Sequence, residues 1–215
     1  FRRYDVTLRS GDRIVVYNMH MDATDEKDEA EGKAGPDHDA RMAQWAQLKD
    51  DVLQHLDSRP IIITGDMNSH YGRDDVKGQF IDAINQSGRG MASDVWVELQ
   101  HSGIYPSESI TEATASDETL DKIIYINPTM GTNIQPVAIT IDREGYLYDG
   151  KPLGDHFPVA ATFQLMRRGS GIEALNGTTT GESQYYNLNG QHVSMPQKGI
   201  YIEQQGKKAE KRIIK

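Results

Sequence analysis

The chain has no cysteine. That excludes disulfide staples, thiolate zinc centres and a cysteine nucleophile, so any metal must rest on oxygen or imidazole ligands. It leaves the compartment open, because secreted proteins also occur without cysteine. No apolar run approaches the roughly 18 residues of a membrane span; the densest, Ile61-Ile62-Ile63, is bounded by Pro60 and Thr64. An excess of positive charge is lacking too. The net charge is −9, spread unevenly: residues 1–165 hold 15 Lys/Arg against 28 Asp/Glu, a net of −13, and residues 166–215 hold 8 against 4, a net of +4. An acidic body repels polyphosphate at long range, so stable nucleic-acid binding is not expected. An enzyme whose bound cation reverses the local field stays compatible with it. The chain opens with Phe1 and shows no basic-then-apolar leader, which reads as a processed product or a piece of a longer reading frame.

What is present fits a soluble globular chain: 215 residues, 37% hydrophobic and 26% charged, enough for one ordinary domain and a small appendage. Tyr4–Leu8 and Arg13–His20 read as two strands joined at Ser10-Gly11-Asp12. Asp22 to Asp39 is crowded with acidic residues and has no hydrophobic period, the pattern of a mobile surface loop. Met42, Trp45, Leu48, Val52, Leu53 and Leu56 then recur at helical spacing, with Asp39 as the expected N-cap. Ile61–Thr64 reads as a short strand covered on both faces. Helices are expected around Val76 to Ile84 and Asp94 to Leu99, and strands at Leu120–Ile126, Pro136–Ile141 and Phe157–Leu165. Interleaved strands and helices predict an α/β architecture. Beyond a linker at Arg167–Gly171, an Asn189-Gly190 turn and a second hairpin pattern at Gly199–Lys208 predict a small all-β tail.

Three polar clusters fall at strand ends: Asn18-x-His20-x-Asp22, Gly65-Asp66-x-Asn68 and Gly154-Asp155-His156. Period-two spacing puts alternate residues of an extended chain on one side, so each cluster presents converging polar groups. Carboxylates, amides and imidazoles without thiolates suit a hard divalent cation such as magnesium or manganese, and phosphoryl chemistry is the natural use. Taken singly, Asp-x-Asn after Gly is an ordinary turn and a lone His20 an ordinary structural histidine. Their joint occurrence in this order is what points to a site. His38, His55, His70, His101 and His192 lack such company and read as surface or structural residues.

The order of motifs resembles the C-terminal half of the endonuclease/exonuclease/phosphatase superfamily, the deoxyribonuclease I-like fold. Ile61–Asn68 is similar to the family's Gly-Asp-x-Asn signature, and Gly154-Asp155-His156-Phe157-Pro158-Val159 to its Ser-Asp-His-x-Pro-Val signature, with Gly in place of Ser. Asn18-x-His20-x-Asp22 resembles the family's histidine strand, and Leu120-Asp121-Lys122 its Leu-Asp-Tyr/Arg element. The resemblance implies a β-sandwich flanked by helices over residues 1–166. It also implies that Asp66 activates the attacking water, that Asn68 and Asn18 hold phosphate, that His156, oriented by Asp121, and His20 contact the scissile phosphate, and that Asp155 faces a Mg2+ or Mn2+ ion. The expected activity is hydrolysis of a phosphate ester by a nuclease, sphingomyelinase or inositol-phosphatase type of enzyme. The family's N-terminal half supplies further metal ligands, and nothing before Phe1 supplies them, so this chain alone is expected to turn over little.

Residues 185–215, after a linker at 167–184, resemble the C-terminal sorting domain of type IX secretion substrates in Bacteroidetes-like bacteria. That implies an export-machinery partner and a secreted or cell-surface location; separately, a monomer is expected. A lipid-directed enzyme should expose an apolar hairpin, for which Gly145-Tyr146-Leu147-Tyr148 is the candidate, although such aromatics also occur in ordinary strands and turns. The rival expectation is a catalytically inactive surface-displayed binding protein on the same scaffold, with the acidic loop Asp25 to Asp39 as its partner site.

Overall fold

The computed structural model describes residues 1–23, 35–107, 120–142, 144–167, 183–187, 192–194, 196–205 and 208–214. The chain forms two compact units, Phe1–Arg168 and Gly169–Lys215. Most of the acidic loop, the linker residues 168–182 and the Asn189-Gly190 turn lie outside the described residues.

The first unit is built on a five-stranded sheet ordered β1-β2-β3-β5-β4. Its strands are β1 (Arg2–Thr7), β2 (Arg13–His20), β3 (Ile61–Asp66), β4 (Gly90–Asp94) and β5 (Asp121–Pro128). Only β2 and β3 run parallel, and the crossover between them is the 20-residue helix α1 (Pro36–His55), as a parallel pair requires. Arg41, Trp45, Leu48 and Val52 of α1 are buried. The three apolar members of that stripe pack on Val15, Tyr17, Met19, Ile61, Ile63, Ile124 and Ile126, the alternate residues of the central strands. Each such side chain removed from water contributes roughly 1.5–3 kcal/mol, and this face is the main core.

The helix start differs from expectation. Gly35 is the N-cap, and Pro36 takes the first helical position, where its fixed φ suits the helix and its missing N–H costs nothing. Asp39 instead sits in the first turn beside Asp37, favourable to the helix dipole but not a cap. The expected helix near Val76 is a π-helical turn, Lys77–Asp82, continued by α2 (Ala83–Gln86).

Strand β4 has no counterpart in the expected elements. Gly90-Met91-Ala92-Ser93-Asp94 carries no β-branched residue, and it is a strand because β5 pairs with it along its full length. Its outer side is met by Asn85, whose Oδ1 accepts from Ala92 N at 2.6 Å and whose Nδ2 donates to Ala92 O at 3.2 Å. Asp94 then caps α3 (Val95–Gln100), accepting from the backbone N–H of Trp96 and Val97.

The other face of the sheet is covered by a two-stranded ribbon, β6 (Asn133–Ile141) with β9 (Val159–Met166). Ile62, Ile123 and Tyr125 pack there against Ile134, Ile139, Val159, Phe163 and Leu165. The register shifts between Pro136 and Ala138, the kind of bulge at which a sheet tolerates a proline. Between β6 and β9 the chain forms a minimal hairpin, β7 (Leu147–Tyr148) with β8 (Lys151–Pro152). The second unit is a four-stranded antiparallel sheet ordered β11-β10-β12-β13, from β10 (Gln184–Tyr186), β11 (His192–Val193), β12 (Gly199–Gln205) and β13 (Lys208–Ile214).

Candidate functional site

Strand register brings the first polar groups together. His20, the last residue of β2, is level with Asp66, the last of β3, and Asp66 is level with Asp121, the first of β5. Partners in register on adjacent strands point to the same face, so three side chains far apart in sequence form one row. His20 Nε2 lies 3.5 Å from Asp66 Oδ2. The loop between β8 and β9 adds His156, with Nδ1 2.5 Å from Asp121 Oδ2 and Nε2 3.8 Å from Asp66 Oδ2. Asp66 thus faces two imidazoles, and one of them is gripped from behind by a second carboxylate.

Gly65 is what lets β3 deliver Asp66. Its φ is +136°, and a Cβ at that position would fall 1.9 Å from the carbonyl oxygen of Met19 on β2. Only glycine permits this approach. The ladder continues past the strand ends, with Met21 N donating to Asp66 O at 2.9 Å and Met67 N to Leu120 O at 3.0 Å, so both flanks of Asp66 are fixed by backbone bonds.

Asn68 reaches the site differently from what period-two spacing predicts. Its φ is +45°, so the chain has left the extended conformation. Its backbone N–H donates to Asp66 Oδ1 at 2.9 Å, and its Nδ2 donates to the Met21 carbonyl at 3.1 Å. This is an Asp-initiated turn, in which Asn68 fixes one oxygen of Asp66 and leaves the other toward the imidazoles. Asp22 likewise lies past the end of β2, where its N–H donates to Gln44 Oε1 at 2.8 Å. Asn18 is exposed, two residues before His20 and level with Thr64, beside the row and not in it. Asp155 is exposed next to His156.

The charges act on His156. Its hydrogen bond with Asp121 raises its pKa above the ordinary imidazole value; partial burial opposes this, and the charges of Asp121, Asp66 and Asp155 reinforce it. The side chain is still 39% exposed, so Nε2 stays reachable. Together the groups can do three things. A carboxylate can accept a proton from water, a protonated imidazole can meet growing negative charge, and a second imidazole near the same carboxylate oxygen can contact a phosphate. A divalent cation is less well served. Among the described residues no three His, Asp or Glu side chains converge so as to hold an ion, and Asp155 offers one exposed carboxylate, so the described side chains do not enclose a metal by themselves.

Sequence reasoning missed the polar groups that sit behind this row. Arg41 and Asp74 are buried, as are Asp94 and Lys122. Lys122, level with Gly65 on β5, lies with its Nζ 3.7 Å from the centre of the Tyr71 ring. Arg41 carried a usable signal: it stands four residues before Trp45, on the stripe that continues through Leu48 and Val52.

No protein-family model matches the chain. A sphingomyelinase of Mycobacterium tuberculosis (strain ATCC 25618 / H37Rv) is 28% identical over 168 residues, and that match covers 77% of this chain and 31% of the mycobacterial protein. The chain therefore spans about a third of that relative's length. Among solved structures, D. rerio TDP2 complexed with single strand DNA product superposes with a TM-score of 0.50 at 14% identity, covering 76% of this chain and 67% of that one. An endonuclease/exonuclease/phosphatase from Beutenbergia cavernae covers 94% of this chain and 47% of its own at 14% identity, with a TM-score of 0.41. The fold of the first unit is accordingly a mixed α/β architecture of the deoxyribonuclease I type, and the second unit is a small all-β sheet.

Proposed function

We propose that the protein hydrolyses a phosphodiester and that its substrate is a phospholipid of the sphingomyelin kind. The observation that carries the reaction is the arrangement of Asp66 Oδ2, 3.5 Å from His20 Nε2 and 3.8 Å from His156 Nε2, with Asp121 behind His156. Asp66 takes the proton of a water whose oxygen forms the new bond to phosphorus, and the ester bond to the leaving alcohol breaks on the opposite side. Protonated His156 donates from Nε2 to a phosphoryl oxygen as charge grows there. His20 contacts the phosphate as the second imidazole, and the leaving alkoxide takes its proton from solvent. Asn18 flanks the phosphate at the rim. A magnesium or manganese ion, when bound, would draw charge from the phosphate, with Asp155 as the carboxylate this chain offers it.

The lipid class is supported by two further observations. Tyr146, Leu147, Tyr148 and Leu153 are all exposed on the β7–β8 hairpin, which leads directly into Asp155 and His156. Four large apolar side chains on so short an element are suited to an interfacial layer of lipid. The mycobacterial relative is a sphingomyelinase. Export completes the proposal: residues 185–215 are read as a type IX sorting domain that places a monomeric enzyme outside the cell.

The test compares hydrolysis of sphingomyelin vesicles, DNA and inositol phosphates, with magnesium and with chelator, by the wild type and by Asp66→Asn and His156→Ala. A release of phosphocholine that is low from this chain alone, rises with the cation and collapses in both variants is expected. Binding of vesicles without turnover, unchanged in the variants, would favour an inactive binding protein instead.

A further inference from the structure

A second polar cluster lies behind the row, and the hydrolytic chemistry does not use it. Asp74, on the loop after β3, is fully buried. Its Oδ2 accepts from Arg41 Nε at 3.0 Å and from Arg73 Nη2 at 3.2 Å, and its Oδ1 is 2.9 Å from His38 Nδ1 and 3.3 Å from Arg73 Nε. Burial alone would raise the pKa of this carboxyl; the guanidiniums of Arg73 and Arg41, with His38, outweigh it and hold the group below the ordinary carboxylate value. Apolar residues of equal volume commonly stabilise such a position as well as a buried ion cluster does. Fixing a geometry is something the cluster can do and an apolar plug cannot.

The contacts run on from this cluster to the catalytic row. Arg73 Nη2 donates to the Asn68 carbonyl at 2.7 Å. Asn68 is the left-handed residue whose N–H holds Asp66 Oδ1. On the far side, α1 holds both loops of the site through neighbouring residues. Arg41 Nη1 donates to the Asp22 carbonyl at 3.4 Å, Gln44 accepts from the Asp22 N–H at 2.8 Å, and Trp45 Nε1 donates to Ser69 Oγ at 3.0 Å.

We infer that Arg73, locked by Asp74 and Arg41, is a positioning residue: it pins the Asn68 peptide in its left-handed turn and so keeps Asp66 Oδ2 directed at His20 and His156. The inference rests on the phosphodiesterase reading for its kinetic consequence but not for its structural one. The contacts of Arg73 run to Asp74 and to the Asn68 carbonyl and not to the Asp66–His156 row, so its loss should act on turnover more than on binding.

The experiment uses the whole chain with Arg73→Ala, Arg73→Lys and, as control, Arg167→Ala, which removes the pair between Arg167 and Asp12 at 2.6 and 3.1 Å elsewhere in the same unit. Hydrolysis of bis-p-nitrophenyl phosphate and hydrogen exchange at the Asn68 amide are measured on each. Arg73→Ala should lower kcat by about 10- to 100-fold with KM within about twofold, as loss of an outer-shell partner does. It should also expose the Asn68 amide to exchange. Arg73→Lys, with one compact charge for a two-sided fork, should fall between, and Arg167→Ala should change neither readout. An Arg73→Ala protein with full kcat, or with an Asn68 amide as protected as in the wild type, overturns the inference. If the wild type, which is expected to turn over little by itself, hydrolyses too slowly to measure, amide exchange alone decides the positioning role. If Arg73→Ala does not fold, Arg73→Lys is judged by the same two criteria.

Discussion

At the scale of single residues, the pair His156–Asp121 makes a prediction with a definite sign. Asp121 raises the His156 pKa, so the imidazole keeps its proton to a higher pH than a free histidine. The stabilisation from the pair is complete below the ordinary imidazole pKa and is lost as pH rises through the raised one. Asp121→Asn should therefore lower the His156 pKa and move the alkaline limb of the pH–rate profile to lower pH, as read by imidazole NMR titration and by kcat against pH. An unmoved His156 titration would remove Asp121 from its orienting role. Gly154 makes the opposite kind of prediction. A Cβ there meets nothing nearer than the His156 backbone at 3.8 Å, so Gly154→Ser should leave both stability and activity within about 0.5 kcal/mol, the range of an ordinary surface change, measured by urea unfolding and by rate. Residues of this row were legible because short motifs name them. Asn68 was named too, but for the wrong geometric reason, since alternation along a strand cannot foresee a left-handed turn. Asp74 was not legible, because its meaning depends on Arg41 from another element, 33 positions away.

At the scale of elements, Gly65 couples β2 to β3, and Gly65→Ala should cost on the order of 3 kcal/mol or more, since the new methyl must displace a backbone carbonyl and adopt a positive φ. Chemical denaturation with its slope m unchanged is the check; a change below 1 kcal/mol, within the range of an ordinary substitution, would mean that β3 can shift away from β2. Asp94 joins two elements in another way. It caps α3 and faces the buried ammonium of Lys122, whose charge opposes the rise that burial imposes on the Asp94 pKa. Asp94→Ala should lose about 0.5 to 2 kcal/mol with the cap, whereas Asp94→Asn should lose less by keeping an acceptor for the Trp96 and Val97 N–H groups. Helix α1 was readable from apolar periodicity, and strands β2, β3 and β5 from short runs rich in β-branched or aromatic residues. Strand β4 was not, because Gly90–Asp94 has the composition of a turn and is made extended by its neighbour β5.

At the scale of the whole molecule, the proposed chemistry and the proposed lipid-facing surface meet on one loop. The β7–β8 hairpin and His156 are separated by only a few residues, so an apolar tip settled in a lipid layer would bring the Asp66–His156 row to headgroup depth. Tyr148, 77% exposed, and Leu153, 62% exposed, stay outside both hydrophobic clusters, and replacing both by serine should leave the fold intact. Transfer of each out of lipid forfeits roughly 1.5–3 kcal/mol, so the double variant should bind sphingomyelin vesicles at least tenfold more weakly while hydrolysing a small soluble phosphodiester as fast as the wild type. Vesicle flotation and the two rates, measured side by side, separate the possibilities. Equal loss on both substrates would place the hairpin in the chemistry itself, and no loss on either would return those aromatics to ordinary surface residues and leave the lipid assignment resting on similarity to the mycobacterial enzyme alone.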